Sequence, residues 1–374
     1  HYPYRFDSYF YYLTGFKEPE AVLVLVAGEQ PRSILFCRPK DLTREIWDGY
    51  RMGPEAAPTA LGVDEAFPIE ALESALPDLI ANQPALYASL GQRAGFDALV
   101  LGRLQQLREQ SRAGRMPPPV IHDVFLLLDS MRLIKDDAEL ACMREAAKIS
   151  AQAHVLAMQR TQPGMAEYQA QADFEYQIMY QGADGTSFPT IAGSGANGTM
   201  LHYETNRDIC EDGTLLLMDL GAKYQGYCAD ITRTYPVNGH FTQQQRSVYE
   251  VVLEANRTIA KTAKPGMTLR ELNDVCKKVL AEGCIRLGLI ENEEEIGTYY
   301  MHSVSHHLGI DVHDVTAACN ETLQPGAIIT DEPGLYIDEW EIGIRVEDDL
   351  LITEDGCECL SEDVMRTPDE IEAF

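Results

Sequence analysis

The spacing of hydrophobic and polar positions changes once along this chain. Between Tyr12 and about Ile121, the short apolar runs AVLVLV (from Ala21) and SILF (from Ser33) precede the helically spaced IEALESALPDLIA (from Ile69). Short strands next to an amphipathic helix predict a small α/β domain. The stretch RAGRMPPPV, Arg112 to Val120, carries three consecutive prolines and reads as the end of that domain or a connector. From Asp136 onward, DDAELACMREAAKISAQAHVLAMQ sets apolar residues at helical spacing behind a capping aspartate. The expected organisation is therefore a first domain over 1–130 and a second over 131–374.

The second domain repeats itself at a period of about one hundred residues. PGMAEYQAQADFEYQ at Pro163 matches PGMTLRELNDVCKKV at Pro265, proline and glycine preceding an amphipathic run in both. Each copy then reaches a histidine and a strand. His202 precedes EDGTLLLMDLG, where Asp219 stands six residues after Gly213; His313 precedes QPGAIITDEPG, where Glu332 stands six after Gly326. Two similar α+β halves about a pseudo-twofold axis follow, with histidines and carboxylates converging on the cleft between them.

Counting pairs outward from each turn sharpens this picture. TLLLMDLG, AKYQGY and CADITRTY read as one β-hairpin. A two-residue loop at Tyr224 and Gln225 predicts Asp219 opposite Asp230. In the second copy, a loop at Glu339 and Trp340 predicts Glu332 opposite Glu347. Like charges facing each other across a sheet destabilise it unless a cation lies between them. Four carboxylates match the charge of two divalent ions, and His306 is the natural nitrogen ligand beside them. His302, His306, His307 and His313 crowd into MHSVSHHLGIDVHD. This is not HExxH, because Ser303 follows His302.

Composition narrows the class. Thirty lysines and arginines against 59 aspartates and glutamates leave a net charge of −29, which repels nucleic acid and anionic membranes. The longest apolar run, Ala21 to Gly28, is far short of the ~18 residues of a membrane helix. Nine scattered cysteines with no CxxC pair argue against a disulfide framework and fit a reducing cytoplasm.

The phrases SGANGTMLHY, MDLGAKYQGYCADITRTYPV, MHSVSHHLGIDVHD, ITDEPGLY and GIRVEDD occur in the order seen in pita-bread metallopeptidases, and they most resemble aminopeptidase P. YYLTGFKEPEAVLVL and DLTREIWDGYRMG extend the likeness to nearly the whole chain. The resemblance implies an α/β N-terminal domain followed by an α+β pita-bread catalytic domain with its internal pseudo-twofold repeat. It implies release of the first residue from peptides with proline in second position. Asp219, Asp230, His306, Glu332 and Glu347 are then the ligands of two divalent metals, Asp230 and Glu347 bridging them. Mn²⁺ is the first choice, with Co²⁺ or Zn²⁺ as alternatives. A metal-bridging hydroxide is the implied nucleophile and Glu332 the proton shuttle. His202 and His313 stabilise the tetrahedral intermediate or leaving group, and His302 lines the proline pocket. Arg345 counts with His302 among the substrate-binding residues and, with Tyr336 as a weaker candidate, orients the ligands. A homotetramer or dimer is implied, with Trp47 approaching a neighbour's active site.

Competing readings sit beside these. Prolidase shares the fold and ligands but takes only dipeptides. A pita-bread module that binds basic proteins without catalysis is the alternative from a different class. His302 and His313 can be read as core histidines and His307 as a bystander. Arg345 can be an ordinary ion pair with Asp348 or Asp349. GSGANG reads as a flexible loop at the site edge.

Overall fold

The computed structural model describes residues 4–316 and 322–374. The chain forms two compact units, the first ending at Leu128 and the second running from Asp129 to Phe374.

In the first unit, β1 (Val22–Val26) pairs antiparallel with β2 (Arg32–Cys37), and β2 runs parallel to β3 (Glu65–Pro68). Alternation along β2 sends Ile34 and Phe36 to one apolar cluster with Leu72, and Leu35 and Cys37 to another with Phe16 and Ala57. The sheet is thus covered on both faces, as continuous apolar strands require. Helix α1 (Leu72–Ile80) packs Leu76 and Ile80 against Val100, Leu104 and Leu107 of α2 (Ala94–Glu109). The triple-proline stretch leads into β5 (Ile121–Asp123), which lies parallel to β4 (Leu86–Ala88).

The second unit opens with α3 (Asp137–Arg160). The Asp136 side chain accepts from the backbone N–H groups of Ala138 and Glu139, and Glu139 answers in a capping box. Both copies of the repeat then follow one plan. α4 (Glu167–Tyr180) and α6 (Leu269–Leu287) each follow a Pro-Gly step. The glycine N–H of each step donates across the chain, Gly164 to Cys210 O and Gly266 to Leu323 O, both at 2.9 Å. In the first copy β6 (Ile191–Ser194), β7 (Leu215–Leu220) and β10 (Ile231–Pro236) form a sheet in the order β10-β7-β6, prolonged by β8 (Ala222–Tyr224) and β9 (Tyr227–Cys228). After α5 (Gln243–Thr262) and α6, the second copy builds β11 (Ile328–Asp331), β14 (Asp348–Ile352) and β15 (Cys357–Cys359), prolonged by the hairpin β12 (Gly334–Ile337) and β13 (Ile342–Arg345).

One hairpin corrects the count made from sequence. Tyr224 pairs with Tyr227, so the turn is Gln225–Gly226, and Asp219 stands opposite Thr232 rather than Asp230. Both turn residues have positive φ, 48° and 84°, the backbone of a type I′ turn that matches strand twist. The shift is two residues, so Asp219 and Asp230 keep a common face as diagonal neighbours. In the second copy, Ile337 pairs with Ile342 and Gly334 with Arg345, a register that continues through Asp331 and Asp348 and sets Glu332 opposite Glu347.

Three of the four carboxylates occupy breaks between ladders. Asp230 lies between β9 and β10, Glu332 between β11 and β12, and Glu347 between β13 and β14, while Asp219 is one residue from the end of β7. At a break the side chains of neighbouring residues can turn inward without competing for the ladder. The two halves are joined there, Glu347 N–H donating to Thr232 O at 3.0 Å and Thr234 Oγ1 to Arg345 O at 3.0 Å. Among the described residues, no helix is long and apolar enough to cross a membrane.

Candidate metal centre

Asp230, His306 and Glu347 each offer a ligand atom within 4.8 Å of the others. His306 Nε2 is 3.5 Å from Asp230 Oδ2 and 3.6 Å from Glu332 Oε1. The ring is aimed by its other nitrogen. Nδ1–H donates to the His307 carbonyl at 3.0 Å, which leaves the Nε2 lone pair facing the carboxylates. Burial pushes the imidazole down to about 4, so it stands neutral as a ligand must.

Asp219 reaches the group through Arg345. Nη2 donates to Asp219 Oδ2 at 2.6 Å, Nε to Thr232 Oγ1 at 3.0 Å, and Nη1 to the Tyr336 hydroxyl at 2.9 Å. Thr232 Oγ1 in turn donates to Glu347 Oε2 at 2.5 Å. The alternative pairing of Arg345 with Asp348 or Asp349 is thereby corrected: Asp348 is bound instead by the buried Arg233 at 2.7 Å and by Arg366 at 2.9 Å.

His302 has both nitrogens engaged, Nδ1 with Ser303 O and Nε2 with the Tyr336 hydroxyl, each at 2.8 Å. Its ring meets Tyr300 and Tyr336 edge-on, at centroid distances of 4.8 and 5.5 Å. His313 is exposed and packs edge-on against His306 at 4.5 Å. His202 is exposed too, near enough to His302 for its charge to oppose protonation of that ring.

His307 is buried beside Lys135 and Asp314. GSGANG is pinned rather than loose: Asn197 Nδ2 donates to Glu167, Tyr203 and Asp208 at 2.8–3.0 Å, and Ser194 N–H donates to the fully buried Glu167. Thr232 and Arg233 are the polar contributors that sequence reasoning passed over. In ITRTYP they read as ordinary strand residues.

The donor set fits divalent cations. Burial first, and then the surrounding carboxylates, push Asp230 and Glu347 well above the usual range. Burial, reinforced by Asp219, brings Glu332 up to about 7 against the opposing pull of Arg345. Asp219 Oδ1 is buried with no hydrogen-bond partner among the described residues, an orphan that a cation would satisfy. Hard carboxylate oxygens with a single imidazole suit Mn²⁺, Co²⁺ or Zn²⁺.

Inward carboxylates on the strands of two repeated halves, with one aimed imidazole from the segment ahead of β11, make a site suited to a metal-dependent enzyme. A family model described as metallopeptidase family M24 matches residues 141–354, and one described as the aminopeptidase P N-terminal domain matches residues 1–87. The chain belongs to metallopeptidase family M24. It is 41% identical to the Xaa-Pro aminopeptidase of Escherichia coli (strain K12), over 100% of this chain and 89% of that protein. It is 37% identical to the Haemophilus influenzae Xaa-Pro aminopeptidase, over 99% of this chain and 88% of that protein. The solved structure of Zn-substituted E. coli aminopeptidase P in complex with product matches with a TM-score of 0.95 at 41% identity, covering 100% of this chain and 89% of that one.

Proposed function

We propose that this protein is an Xaa-Pro aminopeptidase working with two divalent cations, Mn²⁺ foremost. The supporting observation is the convergence of Asp230, His306 and Glu347, with Glu332 beside His306 and Asp219 held across Arg345. Asp219, Asp230, His306, Glu332 and Glu347 would hold the cations, which when bound supply Lewis-acid polarisation and acidify water.

The chain's own residues have distinct tasks in this reading. Glu332, half-buried with Oε2 3.8 Å from His302 Nδ1, is placed to take a proton from the attacking water and return it to the leaving nitrogen. His202 and His313, exposed on the rim, donate to the oxygen on which charge develops. His302, locked by Tyr336 and flanked by Tyr300, offers a rigid face to a proline ring. Arg345 keeps Asp219 and Tyr336 in place beside the substrate site.

Two further readings have support of a simpler kind. Leu42, Ile46, Trp47 and Tyr50 are exposed by 75, 79, 82 and 69%, an apolar patch suited to a homo-oligomer contact. Cys37, Cys210, Cys276 and Cys284 are buried as free thiols, which suits a reducing compartment such as the cytoplasm.

The deciding experiment strips the protein with chelator, restores Mn²⁺, Co²⁺ or Zn²⁺ separately, and measures hydrolysis of Xaa-Pro-Yaa and Xaa-Pro peptides. Metal-dependent release of the first residue from the tripeptide is expected. Cleavage of the dipeptide alone would make the enzyme a prolidase, and no turnover with any metal would leave a non-catalytic binding module.

A further inference from the structure

We infer that Arg132 and Lys135 are positioning residues for His306, acting through a buried charge clamp on Asp314; the inference rests on reading His306 as a metal ligand. The side chains of Arg132, Lys135 and Asp314 are each only 1% exposed. Arg132 Nη2 donates to Asp314 Oδ1 at 2.6 Å and to Asp311 Oδ2 at 2.9 Å, and Lys135 Nζ donates to Asp314 Oδ2 at 3.1 Å. Arg132, Lys135 and Asp314 are thus paired away from water, with the partly exposed Asp311 balancing the second cation, a condition that breaking a buried partner would upset.

The clamp reaches the metal centre through one carbonyl. His307 O accepts from Asp314 N–H at 2.9 Å and from His306 Nδ1–H at 3.0 Å. Whatever fixes Asp314 therefore fixes the acceptor that selects the His306 tautomer and points Nε2 at Asp230 and Glu332. The clamp itself is seated on the same strand, because Lys135 N–H donates to Gly326 O at 2.9 Å just ahead of β11, and Leu308 N–H donates to Ile328 O at 3.0 Å within it. Space is tight: a Cβ on Gly309 would come within 2.1 Å of Asp314 Oδ2. The carbonyl of that glycine accepts from Cys228 N–H at 2.8 Å, two residues from Asp230, so the histidine segment is tied to the opposite half as well.

The test measures Mn²⁺ affinity by chelator competition, and the His306 ring nitrogens by ¹⁵N NMR of the metal-free protein, the signal being assigned by its loss in H306Q. For Lys135→Met and Arg132→Met, the dissociation constant for Mn²⁺ is expected to rise about tenfold or more, and His306 to show a mixture of tautomers in place of Nδ1–H alone. Lys135→Arg, which keeps a cation on Asp314, is expected to restore both readouts. If Arg132→Met does not fold, Lys135→Met, which leaves the guanidinium in place, decides the matter. Folded variants with unchanged affinity and an unchanged tautomer would overturn the clamp. If the wild-type protein itself failed to bind Mn²⁺, the ligand reading would fall instead, while the tautomer measurement would still judge the clamp.

Discussion

Arg345 is the side chain on which the polar groups of both halves meet, its three nitrogens serving Asp219, Thr232 and Tyr336. A lysine keeps the charge but not the planar fork, so Arg345→Lys is predicted to weaken metal binding about ten- to hundredfold, as read by chelator competition. Thr232 bridges Arg345 and Glu347 with one hydroxyl. Thr232→Val strips a hydrogen bond from each, and is expected to lower the stability of the metal-free protein by about 1–3 kcal/mol in urea melts. The carboxylates and the histidine cluster were legible in sequence because unpaired charge beside apolar strand residues demands an explanation. Thr232 was not, since a threonine in a strand needs none and its partner lies 115 residues away.

At the scale of elements, the faces were legible and one turn was not. Period-two alternation fixes which side chains share a face, and an error of two residues leaves that assignment intact. The turn itself escaped because Gln225–Gly226 lacks the Asn or Asp that usually marks type I′ geometry. Gln225 holds a left-handed backbone at φ 48° that asparagine adopts more readily. Gln225→Asn is therefore expected to stabilise the hairpin by roughly 0.5–1 kcal/mol, visible as a rise in melting temperature, with metal affinity unchanged.

For the whole molecule, pH and metal are coupled. Burial holds His154 down to about 3 and His302, His306 and His307 to about 4. Below about 6.5 the unfolded chain binds more protons at these rings, so their contribution to stability grows with pH up to that point and is constant above it. The raised carboxylates act in the opposite sense. The folded state binds more protons at Glu332 up to about 7, and burial with the neighbouring carboxylates raises Asp230 and Glu347 in the same sense, so stability falls as pH rises through the titration of these groups. Above pH ~6.5 only the second effect operates. The metal-free protein is thus expected to lose melting temperature between about pH 6.5 and 8, and divalent metal to abolish the loss. Comparing loaded with chelated samples cancels the contributions of Asp331 and Asp349, which are raised as well. The two-domain plan and the repeat were legible because Pro-Gly steps and Gly-to-carboxylate spacings recur. The long-range ion pairs were not, because Asp314 and Asp348 look like any other members of a strongly acidic composition.

The common register that runs from Ile328–Leu351, across the break at Glu332 and Glu347, to Ile337–Ile342 has an evolutionary corollary. A residue gained or lost in either arm would rotate Glu332 or Glu347 to the wrong side, whereas residues 338–341 lie past the last pair and answer to no partner strand. Natural insertions among kindred chains should accordingly gather at that tip and spare both arms, a pattern that aligning them would expose.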